Sequence, residues 1–409
     1  MLWFVCFFNY ADRQAIYAVA PRLRDELGFD EERLGYIFSA FMWVYAAGAP
    51  CAGFLADRLR RKDLILGGCL FWSFVTVTTS WCSRFWHFVT VRALEGLGET
   101  FYFPASMSLV SDYHSPRTRS RAMAFHQSSV YVGTILGSWV GALFAETLGW
   151  RAGFYCFGLS GMLLAVVLYR CLREPAREGT TVTAERPPEP PSIRDALRAI
   201  FRSPTAAVLM LVFVGANFVA TIFLAWTPMF LVEKFHFKLA AAGLNGTIYI
   251  HLASALSVPL AGWLADRLAR RWHGGRMLVQ AAGLLVGATF VFLVGTTRDL
   301  GTLILSMTVF GFCKGFYDSG IFAALYDVVP AHVRATAAGL MNTVGWTGGA
   351  LGPIFVGYWT THGGYGNKVE NMSHAIAYCG PIYLVAAVLL LVGFCLLRRP
   401  SPGAAGRGE

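Results

Sequence analysis

The stretch that most constrains this chain is Gly53 to Lys62, GFLADRLRRK, because a near copy, GWLADRLARR, returns at Gly262 to Arg271, 209 residues later. Each copy closes a long apolar run with an Asp-Arg pair and a burst of positive charge. That is the signature of a membrane helix leaving lipid on the cytoplasmic side. A second match supports a duplication: SDYHSPRTRSRAMAFHQSSVYVG from Ser111 resembles YDVVPAHVRATAAGLMNTVGWTG from Tyr326, an offset of 215. Parallel repeats in a polytopic membrane chain point to a transporter built from two similar halves.

Composition agrees with a membrane solvent. Of 409 residues 56% are hydrophobic and only 14% charged, and apolar runs repeatedly exceed the roughly 18 residues that a spanning helix needs. The net charge of +10 falls between the apolar runs rather than along one basic face, so it marks topology and not nucleic-acid binding. The nine cysteines show no metal-ligand spacing and read as small core residues. No phosphate-binding loop of GxxxxGK[ST] type is present, so an ion gradient is the expected energy source and no cofactor, metal or enzymatic activity is expected.

The apolar runs place about twelve spanning helices: Met1–Arg22, Leu34–Ala56, Leu64–Cys82, Trp86–Val110, a fifth ending near Leu148, Trp150–Leu172, Thr205–Val232, Ala240–Ala265, Met277–Thr296, Leu300–Asp327, Ala335–Thr361 and His374–Leu397. The expected fold class is therefore an all-α membrane protein. Its parts are an N-terminal half (1–172), a Pro- and Arg-rich cytoplasmic linker (173–204), a C-terminal half (205–397) and a cytoplasmic tail (398–409). Within the linker, IRDALRAIF has the pattern of an amphipathic helix lying at the lipid surface. Basic turns at Arg58–Lys62 and at Arg117, Arg119 and Arg121, with seven arginines from Arg170 to Arg202, put these segments and both termini inside, in a plasma (inner) membrane. The chain opens inside an apolar run without the basic start of a secretory leader, so its first helix looks clipped.

Ionisable side chains in mid-membrane cost roughly 2.5–3.5 kcal/mol each, so each needs a partner or a cavity. Here they cluster. Asn9, Arg13 and Tyr17 share one face of the first helix, beside Asp12. Arg92, Glu95, Glu99, Tyr102 and Ser106 run as a polar stripe along the fourth. Arg92 and Glu95 suit a structural clamp. Glu99, four residues from another carboxylate, suits either a proton carrier or a static partner of Arg13, and Arg13 suits either anion binding, through its planar fork, or a fixed ion pair. The 215-residue offset sets Lys314 opposite Glu99, unless Asp318 one turn away neutralises it. Tyr45, Gln127, Tyr131, Asn217, Asn245, Tyr249, Asn342 and Trp346 could complete a polar and aromatic lining. His126 and His251 read as hydrogen-bonded core histidines. Gly133, Gly137 and Gly141, with Gly345, Gly348, Gly349 and Gly352, permit close helix approach, either within the halves or at the surface on which they rock.

With these residues in view, GFLADRLRRK resembles the motif between the second and third helices of the major facilitator superfamily, G-x-x-x-D-R-x-G-R-[RK]. Gly53, Asp57, Arg58, Arg61 and Lys62 match it, and Arg60 stands where the family has its second glycine. The segments NYADRQAI, YIFSAF and RALEGLGETFYFPAS resemble two branches, the anion:cation symporters and the spinster-like transporters, and GWRAGFYCFGLSGMLLAVVLYRCLREP leans toward the second. The resemblance implies two six-helix bundles about a pseudo-two-fold axis, a central site and alternating access by a monomer. It implies coupling and binding at Glu99, Asp12 and Arg13, and gating at Gly53, Asp57, Arg58 and Arg61 and at the repeated Asp266 and Arg267. Asp57 would hold the end of the eleventh helix in the outward-facing state. The expected function is proton-coupled symport of small organic anions such as sugar acids, with Asp12, Glu95 and Glu99 as the coupling carboxylates. The alternative is a carrier of lysolipid or another amphiphile. Sodium in place of protons stays open.

Overall fold

The computed structural model describes residues 1–115, 118–173, 193–330 and 333–398. The tail and most of the linker lie outside these residues, as does Arg117. So do the side chains of Gly53, Asp57 and Arg58, three of the expected gating residues. What is described is helical: α1 (Leu2–Ala18), α2 (Ala20–Leu27), α3 (Glu31–Arg58), α4 (Arg61–Thr79), α5 (Phe85–Thr100), α6 (Tyr102–Tyr113), α7 (Arg119–Thr147), α8 (Trp150–Cys171), α9 (Ile193–Phe201), α10 (Pro204–Phe235), α11 (Leu239–Ala269), α12 (Gly275–Thr296), α13 (Leu300–Asp318), α14 (Ile321–Val328), α15 (Arg334–His362), α16 (Lys368–Ala377) and α17 (Cys379–Arg398).

Four of the expected rods are broken once each: α1–α2 at Val19, α5–α6 at Phe101, α13–α14 at Ser319 and Gly320, and α16–α17 at Tyr378. In three of them a proline follows within the first turn of the second segment, Pro21, Pro104 or Pro381. A ring without an N–H is tolerated there and breaks the ladder behind it. With these pairs joined, and α9 set aside, twelve rods remain. Eight pass a test of length and apolarity for crossing a membrane. Those that fail include α1 and α5, which carry the charged stripes, and the Gly- and Thr-rich α15.

The two halves repeat the same packing. In the first, α1 lies on α7, α3 on α5 and α4 on α8; in the second, α10 lies on α15, α11 on α13 and α12 on α17. Glycines set the closest approaches: Gly133 meets Phe7, Gly137 meets Ala11 and Gly141 meets Ala15, while Gly345 and Gly348 meet Phe213 and Val214. These runs therefore seal each bundle internally, and the reading of them as a rocking surface is corrected. Between the bundles α3 packs on α15, α7 on α11 and α1 on α10. The short α9 rests on α10 and α15 with Ile200 buried and Phe201 exposed, so part of the apolar face expected to meet lipid meets protein.

Candidate functional site

The charged residues of α1 and α5 meet in one buried cluster. Arg13 donates from Nε to Glu99 Oε2 at 2.9 Å and from Nη2 to the same oxygen, and a second Nη2 contact reaches Asn9 Oδ1 at 3.3 Å. Its guanidinium lies among four aromatic rings, with centroids at 4.5 Å (Phe41), 4.6 Å (Tyr10), 5.5 Å (Tyr45) and 5.9 Å (Trp346). Such rings hold a cation by their quadrupoles without neutralising it. One turn along α5 from Glu95, Arg92 forms an ion pair with that carboxylate. Asp12 accepts from the Arg13 backbone N–H at 2.7 Å and lies 3.3 Å from Thr76 Oγ1 on α4. Three carboxylates thus face two guanidinium groups, and all five side chains are buried.

Arg13 forms part of the wall of a cavity of about 310 Å³ between the bundles. Tyr17, Gln127, Tyr131, Lys314 and Trp346 also line it, with Tyr10, Gln14, Phe41, Thr134 and His251 among the others. The second bundle supplies Lys314, paired with Asp318 one turn on. The offset expectation and its neutralised alternative therefore both describe Lys314: it faces the cavity and it is already paired. Among the described residues Asn9 Nδ2, Tyr17 Oη and Gln127 Oε1 are buried without a hydrogen-bond partner. The cavity thus offers polar capacity in addition to charge.

At one end the bundles are tied together. Gln14 Nε2 donates to Leu224 O (3.0 Å) and Ser39 Oγ to Ala350 O (2.5 Å). Beyond them Arg24 pairs with Glu233 (2.8 Å), Lys368 with Glu31 (2.7 Å), and the Ala240 N–H donates to Glu146 (2.8 Å). Phe38 packs on Trp226, and Tyr45 on Trp346. Gly28, at φ 68°, ends α2 with the left-handed turn that carries the chain into α3 at this end. The opposite end holds the basic turns. There Arg61 pairs with Asp112, and Arg276 pairs with Asp327 and, at 2.9 Å, with Asp266. Asp112 and Asp327, like Arg61 and Arg276, are 215 residues apart. The structural counterpart of Arg61 is thus Arg276, beyond the inserted turn, and the 209-residue register of the short motif ends before it. Arg267 stacks on Trp263 at 5.4 Å.

The description of the Major Facilitator Superfamily matches residues 2–272 and 233–409. The chain belongs to that superfamily. Among its relatives, a probable L-galactonate transporter of Escherichia coli (strain K12) is 27% identical over 98% of this chain and 88% of its own length. A probable galactarate/D-glucarate transporter, GudP, of Bacillus subtilis (strain 168) is 27% identical over 96% and 90%. A sodium-dependent phosphate transport protein of Arabidopsis thaliana chloroplasts is 26% identical over 85% and 70%. In fold, the chain superimposes with a TM-score of 0.85 on a bacterial homologue of the human lysosomal transporter Spinster in an inward-facing, unoccupied conformation. That match is 19% identical and covers 98% of this chain and 97% of the other. The protein is a transporter of this superfamily, an integral multi-pass membrane protein and not an enzyme.

Within this major facilitator frame the sequence-derived candidates separate by position. Arg13, Tyr17, Gln127, Tyr131 and Lys314 line the cavity. Asn9, Tyr45, Asp12, Glu95 and Glu99 stand around or behind Arg13. Asn342 is not on the wall, where α15 presents Trp346 one turn away. Asn217 and Asn245 donate to carbonyls of their own helices, and Tyr249 donates to Asn245. His251 lies on the wall, with Nδ1 2.8 Å from Thr247 O, so it is more than a core residue. Sequence reasoning passed over Tyr10, Gln14, Phe41, Thr76 and Thr134, each ordinary in an apolar helix. Only Tyr10 and Gln14 share a helix with Arg13; Phe41, Thr76 and Thr134 come from α3, α4 and α7 and are brought in by the packing.

Proposed function

We propose that this chain is a proton-coupled symporter of small organic anions, sugar acids in particular, working by alternating access as a monomer. The observation that carries the reading is Arg13: a guanidinium on the cavity wall, balanced by Glu99, with unpartnered polar atoms on Asn9, Tyr17 and Gln127 nearby. A carboxylate entering the cavity takes over the planar fork, and hydroxyl groups of a sugar acid satisfy the free amide and phenol. Glu99, released from Arg13, then accepts the proton, which keeps the buried site near neutral. Lys314, at the other side, anchors the far end of the substrate. The cavity, about 310 Å³, is at the small end of ligand pockets and suits a six-carbon acid better than an acyl chain. The relatives named for galactonate, galactarate and glucarate support the same class.

We take the end tied by Arg24–Glu233 and Lys368–Glu31 as the outer one, and the end with the basic turns as cytoplasmic, because positive charge concentrates there. On that reading both termini are inside, a bundle of residues 1–172 is joined to one of 205–397 through 173–204, and the conformation is inward-facing. The test is calorimetry on purified full-length protein with D-galactonate, D-glucarate, inorganic phosphate and a lysolipid in turn. Heat of binding with the sugar acids, lost in Arg13→Gln, is the expected result. Binding of phosphate or lysolipid with none of the sugar acids contradicts the proposal.

A further inference from the structure

Behind Arg13, on the side away from the cavity, Thr76 of α4 stands between two carboxylates from different helices. Its Oγ1 lies 3.3 Å from Asp12 Oδ2 of α1 and 3.1 Å from Glu95 Oε1 of α5, and it is also 2.9 Å from the Trp72 carbonyl one turn back on its own helix. All three side chains are buried. A hydroxyl has one hydrogen to donate and two lone pairs to offer. With both carboxylates ionised, three acceptor oxygens compete for that one hydrogen, and the two carboxylate oxygens face each other across a group that cannot serve both. One added proton resolves the arrangement: Asp12 Oδ2–H donates to Thr76 Oγ1, and Thr76 donates to Glu95 Oε1. The outer oxygens are already held, Asp12 Oδ1 by the Arg13 N–H and Glu95 Oε2 by Arg92.

We propose that Thr76 is a positioning residue for proton coupling, its hydroxyl bridging Asp12 and Glu95 so that the two carboxylates hold one proton between them. The proposal rests on the symport reading above and adds to it a device distinct from Glu99. No bond other than the O–H is made or broken: the proton arrives on Asp12 or Glu95 and leaves from the same pair. The charged and titratable groups around it are Arg13 and Tyr17 on α1, Cys69 and Cys82 on α4, Arg92 and Glu99 on α5 and Tyr45 on α3. Because Asp12 also holds the Arg13 backbone, a proton on the pair ties α1, α4 and α5 together at the level of the substrate anchor. Its loss removes one of the two hydrogen bonds of that bridge, leaving Arg13–Glu99 to join α1 to α5.

The test compares wild type, Thr76→Ser, Thr76→Val and Thr76→Ala as full-length protein in proteoliposomes, reading accumulation of a labelled sugar acid against pH at a fixed pH difference. Without the hydroxyl the singly protonated pair loses two hydrogen bonds and the ionised pair only one. Proton affinity falls, and the midpoint of the pH profile moves to lower pH in Val and Ala by at least half a unit. Ser restores the wild-type midpoint. Should Val fail to fold, Ala reads the same quantity. An unchanged midpoint in the variants without the hydroxyl, or one moved to higher pH, overturns the proposal. A wild type that accumulates substrate without responding to the pH difference overturns the symport reading and this one with it, and the two failures are told apart because that one is read in the unaltered protein.

Discussion

Arg13 has a carboxylate, an amide and four aromatic rings around it, so its substitutions separate charge from shape. Lys keeps the charge and loses the fork. Arg13→Lys is expected to weaken sugar-acid binding roughly ten- to hundredfold, the equivalent of one lost charge-assisted hydrogen bond of about 1.5–3 kcal/mol, as titration calorimetry will measure. Unchanged affinity in both Arg13→Lys and Arg13→Gln moves the amphiphile reading ahead. Glu99→Gln is expected to abolish gradient-driven accumulation while counterflow persists, and full concentrative uptake by that variant removes Glu99 from the coupling role. For Lys314, the single Lys314→Gln leaves Asp318 unpaired and lowers both stability and binding. The double Lys314→Gln/Asp318→Asn recovers thermal stability, but on the anchor reading it does not recover affinity. At this scale the sequence was most legible where physics allows fewest options. An Arg or a Glu inside an apolar helix must find a partner or a cavity, and Arg13, Glu95 and Glu99 did so. Thr76, Tyr10 and Phe41 carried no such signal, because hydroxyls can back-bond to their own helix and aromatic rings fill any core.

Helix patterning was legible to within a few residues in the long apolar rods, such as Trp150–Cys171. It missed the breaks at Val19, Phe101, Ser319 and Tyr378, since apolar periodicity continues across each of them. Prolines at 21, 104 and 381 were the local clue. Glycine runs were read for close approach but not for partner. Among the glycines that face the other bundle are Gly35, where an added Cβ would lie 2.6 Å from Pro353 O, and Gly243, where one would lie 2.6 Å from Ser138 O. Neither neighbour is a flexible side chain. Gly243→Ala and Gly35→Ala should therefore wedge the tied end apart and shift the population toward the conformation open at that end. Spin-label distances across α3–α15 and α7–α11 would show this as a longer-distance component, while Gly137→Ala, inside one bundle, should lower stability without that shift. Asp57→Asn should shift the population toward the inward-open form more than Asp266→Asn does, because the first copy carries the fuller family motif. Equal shifts in the same distance measurements count against that difference.

The whole molecule is a doubled one, and its duplication was legible because charge at the ends of apolar runs is copied along with them. Yet the short motif repeats at 209 residues and the later segment at 215, and only the fold shows why. The turn before α12 is longer, and Arg276 in the first turn of α12 fills the place that Arg61 holds in the first turn of α4. On the reading proposed above, two such halves move a central site from one face to the other, and a buried cluster of three carboxylates and two guanidinium groups makes the proton the proposed driving ion. The decisive measurement is uptake of a labelled sugar acid into proteoliposomes of the full-length protein, with either a proton or a sodium gradient imposed at clamped membrane potential. Transient accumulation above equilibrium with acid outside, abolished by a protonophore and indifferent to replacing sodium by potassium, is the predicted result. Accumulation that follows the sodium gradient, or ignores the pH difference, contradicts it.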